Sequence, residues 1–181
     1  MICENTAMRT LKTATLACLF GALAGCAAPP TLPTVERVDL PRFMGDWYVI
    51  ANIPTAIEKG AHNAVETYRL DTDGTIATTF TFRKGGFDGP QKTYNPRGFV
   101  QDTTTNASWG MQFVWPIKAE YLIIQLDEDY TRTVIGRSKR DYVWIMAREP
   151  SIPEADYQAI LGRLEEQGYD TSLIEKVPQR W

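Results

Sequence analysis

Cysteine is almost missing from this 181-residue chain: the three present, Cys3, Cys18 and Cys26, all lie near the N-terminus. A disulfide framework is therefore excluded for everything downstream, where stability must come from packing. Histidine is scarcer, with His62 alone. A Ser-His-Asp or Cys-His arrangement would have to use it, and no cluster has metal-ligand spacing. An excess of one charge is also lacking. Net charge is −3 with acidic and basic residues interspersed, which argues against a nucleic-acid binder and its clustered basic surface. The N-terminal apolar stretch, Thr13 to Leu23, is too short to span a membrane. No internal repeat or second composition regime follows residue 39, so one domain with one core is expected.

What is present begins with a leader. From Met8 the chain reads MRTLKTATLACLFGALAGCAAPP. Arg9 and Lys12 form a positive start, an apolar stretch follows, and small residues end it, the pattern of a secretory signal. Met1 to Ala7 carries Glu4 and no positive side chain, so translation starts at Met1 or Met8. Leu23-Ala24-Gly25-Cys26 resembles the bacterial lipobox. That resemblance implies cleavage before Cys26, a signal peptide over 1–25, and diacylglycerol on the Cys26 thiol. An ordinary signal peptide with an incidental cysteine is the alternative. Anchorage by several acyl chains is lasting where one chain is marginal. Ala27 rather than Asp after the cysteine implies the outer membrane, with the domain facing the periplasm. Residues 26–38, containing Pro29, Pro30 and Pro33, read as a lipidated tether, and 39–181 as the folded domain.

Eight Tyr, seven Phe and five Trp either fill a core or line an apolar pocket. Residues rich in β-branched and aromatic side chains run from Trp47 to Ile53, Asn63 to Leu70 and Thr75 to Phe82. Further candidate strands fall at about 91–102, 107–114, 119–126, 131–137 and 141–147. Asp71-Thr72-Asp73-Gly74 is a hairpin signal, and Pro54, Gly85 to Pro90 and Trp115-Pro116 are breaks. Eight short strands with hairpin-like links predict an all-β fold, an antiparallel up-and-down barrel whose closure removes its edges. Beyond Pro150 the period changes. A helix is expected over about 153–167, capped by Ser151, with Pro153 and Glu154 in its first turn and Gly168 at its end. Tyr157, Ile160, Leu161 and Leu164 form one apolar stripe, expected to pack on the outside of the sheet.

Three local patterns in this frame resemble the lipocalin family. Gly45-Asp46-Trp47-Tyr48 looks like its G-x-W signature. Leu126-Asp127-Glu128-Asp129-Tyr130 is similar to its second signature, with Glu128 where Thr is common. Arg148, after the last strand, stands where the family has an Arg over the Trp. The resemblance implies that Trp47 closes one end of the barrel, that Gly45 permits the tight entry into the first strand, and that Arg148 seals the indole by a cation–π contact. Tyr94-Asn95-Pro96 and the stretch Arg140 to Met146 look like the bacterial outer-membrane lipoprotein subgroup. That subgroup implies a carrier, not an enzyme, with a fatty acid or lysophospholipid in the cavity, membrane attachment through Cys26, and room for a homodimer. No cofactor is expected.

An eight-stranded barrel holds one small ligand. Ile76, Thr78, Phe80 and Phe82 share one face of the third strand. In the sixth, Tyr121, Ile123 and Gln125 oppose Leu122, Ile124 and Leu126; in the last, Tyr142, Trp144 and Met146 oppose Val143 and Ile145. The expected lining is Phe80, Phe82, Phe99, Met111, Phe113, Tyr121, Ile123 and Trp144, with parity subject to any bulge. Three other readings stay open. A lipocalin-type enzyme could use Glu58, Glu66 or Glu120, although these read first as solvated loop or edge charges. Haem could bind through His62. An inert module could make contacts through Phe87 or Val177 to Trp181.

Overall fold

The computed structural model describes residues 31–181. Nine strands follow the chain as β1 (Gly45–Asn52), β2 (Ala61–Leu70), β3 (Thr75–Lys84), β4 (Gln91–Tyr94), β5 (Arg97–Val100), β6 (Ser108–Val114), β7 (Ile117–Leu126), β8 (Arg132–Gly136) and β9 (Val143–Ala147). Neighbours in the sheet are antiparallel, and β9 returns to pair with β1, closing a barrel. β4 and β5 both pair with β3. They are one stave broken at Asn95-Pro96, because Pro96 has no N–H for the ladder; its carbonyl instead accepts from Thr78 N at 3.1 Å. The barrel therefore has the eight staves read from the sequence, the fourth of them interrupted and ending at Val100. A short β10 (Glu175–Lys176) adds to β1 from outside.

Two apolar cores share the barrel wall. Val49, Tyr68, Ile76, Phe80, Phe82, Trp109 and Met146 belong to the interior core. Ile50, Leu122, Ile124, Val134, Val143 and Ile145 face outward into a second core. Helix α2 (Glu154–Glu166) covers that outer face with Tyr157, Ile160 and Leu164, as its stripe requires. This double burial explains why both faces of several strands are apolar. The helix starts at Pro153 without a side-chain cap, so Ser151, exposed, does not do the capping expected of it. Glu154 and Asp156 in the first turn complement the exposed N–H groups there. At the other end Gly168 has φ +86°. Gly168 N donates to Glu165 O at 2.9 Å and Tyr169 N to Leu164 O at 3.0 Å, the paired bonds of a Schellman stop.

The parity of β7 breaks once. Its register to β8 shifts between Ile123 and Gln125. Tyr121 and Ile123 face the interior, but beyond the bulge Leu126 packs against the interior core. Gln125 Oε1 instead accepts from Arg163 of α2 at 2.9 Å. The strict alternation read along this strand is thus inverted after Ile124, because the extra residue of a bulge rotates every later side chain to the other face.

Residues 31–38, which read as tether, lie against the barrel. Leu32 and Val38 are buried, Val35 N donates to Ile123 O at 3.0 Å, and Val38 N to Thr105 O at 2.7 Å. Cys26 and the leader lie outside the described residues. Both apolar cores, the closed barrel and its helix fall within 31–181.

The three signature patterns meet at one end. Asp39 caps a single helical turn, α1 (Leu40–Phe43), which crosses the barrel bottom. Trp47 is fully buried behind it and donates from Nε1 to Phe43 O at 2.8 Å. Gly45 enters β1 at φ +95°, a conformation costly for any side chain. The Arg148 guanidinium lies 3.8 Å from the Trp47 ring centroid. It donates to the carbonyls of Asp46 (2.7 Å), Arg42 (2.9 Å), Met44 (2.9 Å), Phe43 (3.1 Å) and Tyr130 (3.2 Å). Asp127 accepts from the backbone N–H of Thr131 at 2.6 Å and of Arg132 at 3.0 Å, shaping the β7–β8 loop. Burial opposes ionisation of the Asp127 carboxyl, but the hydrogen bond from the Thr131 hydroxyl, together with these backbone bonds and the Arg132 charge, holds it below its usual range. Tyr130 accepts from Asp39 N at 2.8 Å and lies under Arg42, 4.1 Å from its ring.

Candidate functional site

With one end closed by Trp47, a cavity of about 360 Å³ opens toward the other. Its walls come from β2, β3, β6, β7 and β9, and its rim from the β1–β2 loop and the β6–β7 hairpin. Five residues expected in the lining are there: Phe80, Met111, Phe113, Tyr121 and Trp144. The other three are placed elsewhere. Phe82 is fully buried in the interior core, stacked near-parallel on Tyr94 with centroids 6.2 Å apart. Ile123 is packed below the cavity floor in the same core, on the side that takes the Val35 backbone bond at its carbonyl. Phe99 faces outward, with Lys118 Nζ 3.6 Å from its ring centroid. Its neighbour Gly98 holds the inward position, where an added Cβ would lie 3.3 Å from Ile76 Cβ.

Most of the cavity wall is apolar, and its ionisable acids and bases are three carboxyl groups and Arg137. Glu58 and Glu66, read from the sequence as solvated charges, are only 5% and 8% exposed and line the cavity. Alternation along β2 puts Glu66 on the same inward face as Tyr68. Glu58 comes from the β1–β2 loop, which folds over the mouth. Glu58 accepts from Trp144 Nε1 at 2.7 Å and from Thr55 N at 3.0 Å, as well as from the Thr55 hydroxyl. Glu66 accepts from the Tyr68 hydroxyl, which is also bonded to the Tyr121 hydroxyl. Burial, reinforced by the nearby charge of Glu58, pushes the Glu66 carboxyl up to about 8, against the opposing hydrogen bond from Tyr121. Glu66 is therefore protonated at neutral pH. Burial, then the Glu66 charge, raises the Tyr121 phenol well above its ordinary value.

Glu120, at the rim, is held by Ser138 N at 2.6 Å and Ser138 Oγ at 2.8 Å. Arg137 also lines the mouth, 3.4 Å from Asp141, with its ring-facing side over Tyr142 at 5.4 Å. Among the described residues no group of His, Cys, Asp and Glu is placed to hold a metal ion. His62 does not line the cavity. Its ring packs edge-on against Phe87, centroids 4.9 Å apart, so the geometry lends nothing to the haem reading. Phe87 is only half-exposed, covered on its other side by Arg180 at 4.2 Å. The C-terminal segment is tied down as well: Asn63 exchanges two bonds with Arg180, and Gln179 Nε2 donates to Val49 O at 2.8 Å. It closes the irregular edge of β1 and β2 and is no free arm.

Beside the mouth stands the most apolar exposed surface. The β6–β7 hairpin carries Phe113, Val114, Trp115 and Ile117, with Trp115 82% exposed. Ile57 of the β1–β2 loop is also exposed on the rim. The sequence marked Trp115-Pro116 as a break, and nothing in its local pattern marked the hairpin as uncovered. Exposed apolar clusters of this kind are characteristic of contact surfaces.

Comparison with known proteins agrees with this geometry. The lipocalin-like domain family matches residues 38–179. The outer membrane lipoprotein Blc of Escherichia coli K12 is 30% identical over 179 residues, covering 93% of this chain and 95% of that one. Temperature-induced lipocalin-1 of Arabidopsis thaliana is 29% identical, covering 82% and 83%. Among solved structures, insecticyanin of the tobacco hornworm Manduca sexta superposes with a TM-score of 0.65 at 14% identity, covering 82% of this chain and 84% of its own. The cockroach allergen Per a 4 gives 0.63 at 18% identity, covering 85% and 97%. At those identities the structural likeness speaks for the fold alone.

Proposed function

The chain belongs to the lipocalin family, and from that premise we propose that it is a carrier for an elongated apolar lipid, a fatty acid or a lysophospholipid, in the envelope. The observation that carries this reading is the cavity: about 360 Å³, closed at one end by Trp47 and walled mainly by apolar and aromatic side chains. Each methylene buried there contributes about 0.8 kcal/mol, so a chain binds well with few polar contacts. The exposed Phe113–Ile117 hairpin at the mouth supports exchange with a lipid surface, since Trp and aliphatic side chains partition into the headgroup region. The lipobox at Cys26 and the likeness to outer membrane lipoproteins support a lipid anchor in the outer membrane, with the domain on the periplasmic side. In this reading the packed residues 31–38 shorten the tether, which keeps the barrel close to its membrane.

Native mass spectrometry with denaturing lipid extraction, on the soluble form beginning after Cys26, tests the proposal. A co-purifying fatty acid or lysophospholipid, displaced by a competing chain, is the expected result. A protein that is empty and also shows no saturable lipid binding removes the reading.

A further inference from the structure

The cavity has a chemical bias that a simple apolar sleeve would not have. Three carboxyl groups and a single guanidinium line it. The guanidinium, Arg137, is paired with Asp141 at 3.4 Å. Glu120 is committed to Ser138 at the rim. That leaves Glu58 and Glu66, both buried, with no salt bridge to either among the described residues. Buried carboxylates are ordinarily paired with a cation or a metal, because taking the charge out of water is costly. The donors around Glu58, an indole N–H, a hydroxyl and a backbone N–H, bring no positive charge.

The rings around the pair have the second property that a cation needs. Tyr121 and Trp144 stack with centroids 6.4 Å apart and an interplanar angle of 24°; Tyr142 and Trp144 are 6.2 Å apart. All three line the cavity with the two carboxyls. Aromatic faces beside carboxylates attract ammonium groups by cation–π and direct Coulomb interaction, most strongly where water is displaced. The Glu58 charge repels the carboxylate of a fatty acid.

Resting on the carrier reading above but narrowing its ligand away from anionic chains, we infer that the cavity selects a ligand with a cationic head group, a protonated amine on an otherwise apolar chain, held by Glu58 and the Trp144–Tyr121 rings with the Glu66 carboxyl beside them. A simple long-chain amine meets this chemistry, and an anionic fatty acid entering head-first does not. Trp144 positions Glu58 through its Nε1 bond as well as offering its face to the cation.

Calorimetric titration of the chain from residue 27, which contains the closed barrel, the helix and both cores, with dodecylamine, dodecanol and dodecanoate at neutral pH tests this. The amine is expected to bind at least about tenfold more tightly than the alcohol, with the carboxylate weakest. In Glu58→Gln the amine-to-alcohol affinity ratio is expected to fall by about tenfold, whereas Glu66→Gln, which replaces a carboxyl already protonated at neutral pH, is expected to leave it within about threefold. Alcohol or carboxylate binding as tightly as the amine overturns the inference and leaves the carrier reading standing. An amine preference that survives Glu58→Gln also overturns it, by placing the preference outside the cavity. Failure of all three chains to bind the parent protein removes both readings. The comparison on the parent decides the question even where a Gln variant folds poorly.

Discussion

Glu66→Gln isolates the energetic consequence of burying an acid in the barrel. The folded-state pKa of Glu66 is raised from its ordinary value of 4.5 to about 8, mainly by burial. Across that interval the folded chain holds a proton that the unfolded chain releases, so stability falls as pH rises and levels off above about 8. At about 1.4 kcal/mol for each factor of ten, the interval sets a ceiling of about 5 kcal/mol; water entering the open cavity relaxes the ionised form, so a loss of about 2–4 kcal/mol is expected between about pH 5 and pH 9. Gln keeps an acceptor for the Tyr68 hydroxyl and has no charge to expose. The variant should match the parent to within about 1 kcal/mol at about pH 5 and exceed its stability by about 2–4 kcal/mol at about pH 9. The depressed carboxyls, Asp73, Asp102, Asp127 and Glu154, lose their contribution only as pH falls through values below the usual carboxylate range, outside this window. Urea unfolding followed by tryptophan fluorescence at several pH values gives both curves. Parallel curves for parent and variant would refute the argument, because they would mean that Glu66 ionises as freely in the folded chain as in the unfolded one.

Arg148→Ala removes the guanidinium over Trp47 and the donor to five backbone carbonyls at the closed end. A loss of about 3 kcal/mol and a Tm lower by roughly 10 °C are expected, with ligand affinity changed much less; an unchanged Tm in a calorimetric scan would contradict the sealing role. Phe80→Ala and Phe99→Ala separate the two faces of the wall. The Phe80 variant should lose at least about fivefold in affinity for dodecanol, whereas the Phe99 variant, which touches Lys118 outside the barrel, should stay within about twofold. Equal losses in the same titration would mean that the face assignment of these strands is wrong.

The barrel was legible because its signals are local. Strand composition, turn residues such as Asp71 to Gly74, and the change to helical period after Pro150 each act within a few residues of chain. The closed end was legible through three short patterns, whose side chains meet in space around Trp47. Part of the cavity wall was also legible, since Phe80, Met111, Phe113, Tyr121 and Trp144 follow from alternation once a face is chosen. The choice failed at Phe99, where Gly98 occupies the inward position, and after Ile124, where a bulge inverts β7. A bulge is set by pairing with the neighbouring strand, and a single strand's sequence carries little trace of it.

The sequence by itself determined the number of staves, the helix on their outer face, the plug and its seal. The staves and the helix follow from periodicity and turn residues, and the plug and its seal from the resemblance of three short patterns to the lipocalin family. Only the tertiary structure decided that Glu58 and Glu66, ordinary acids in a loop and a strand, are taken out of water together beside three aromatic rings. It also decided that residues 31–38 and the C-terminal segment pack on the barrel while the Trp115 hairpin stays uncovered. The physical reason is one and the same. Burial is a property of what comes to lie on top of a residue, and for these residues the covering groups are distant in the chain. Trp144 reaches Glu58 from 86 positions away.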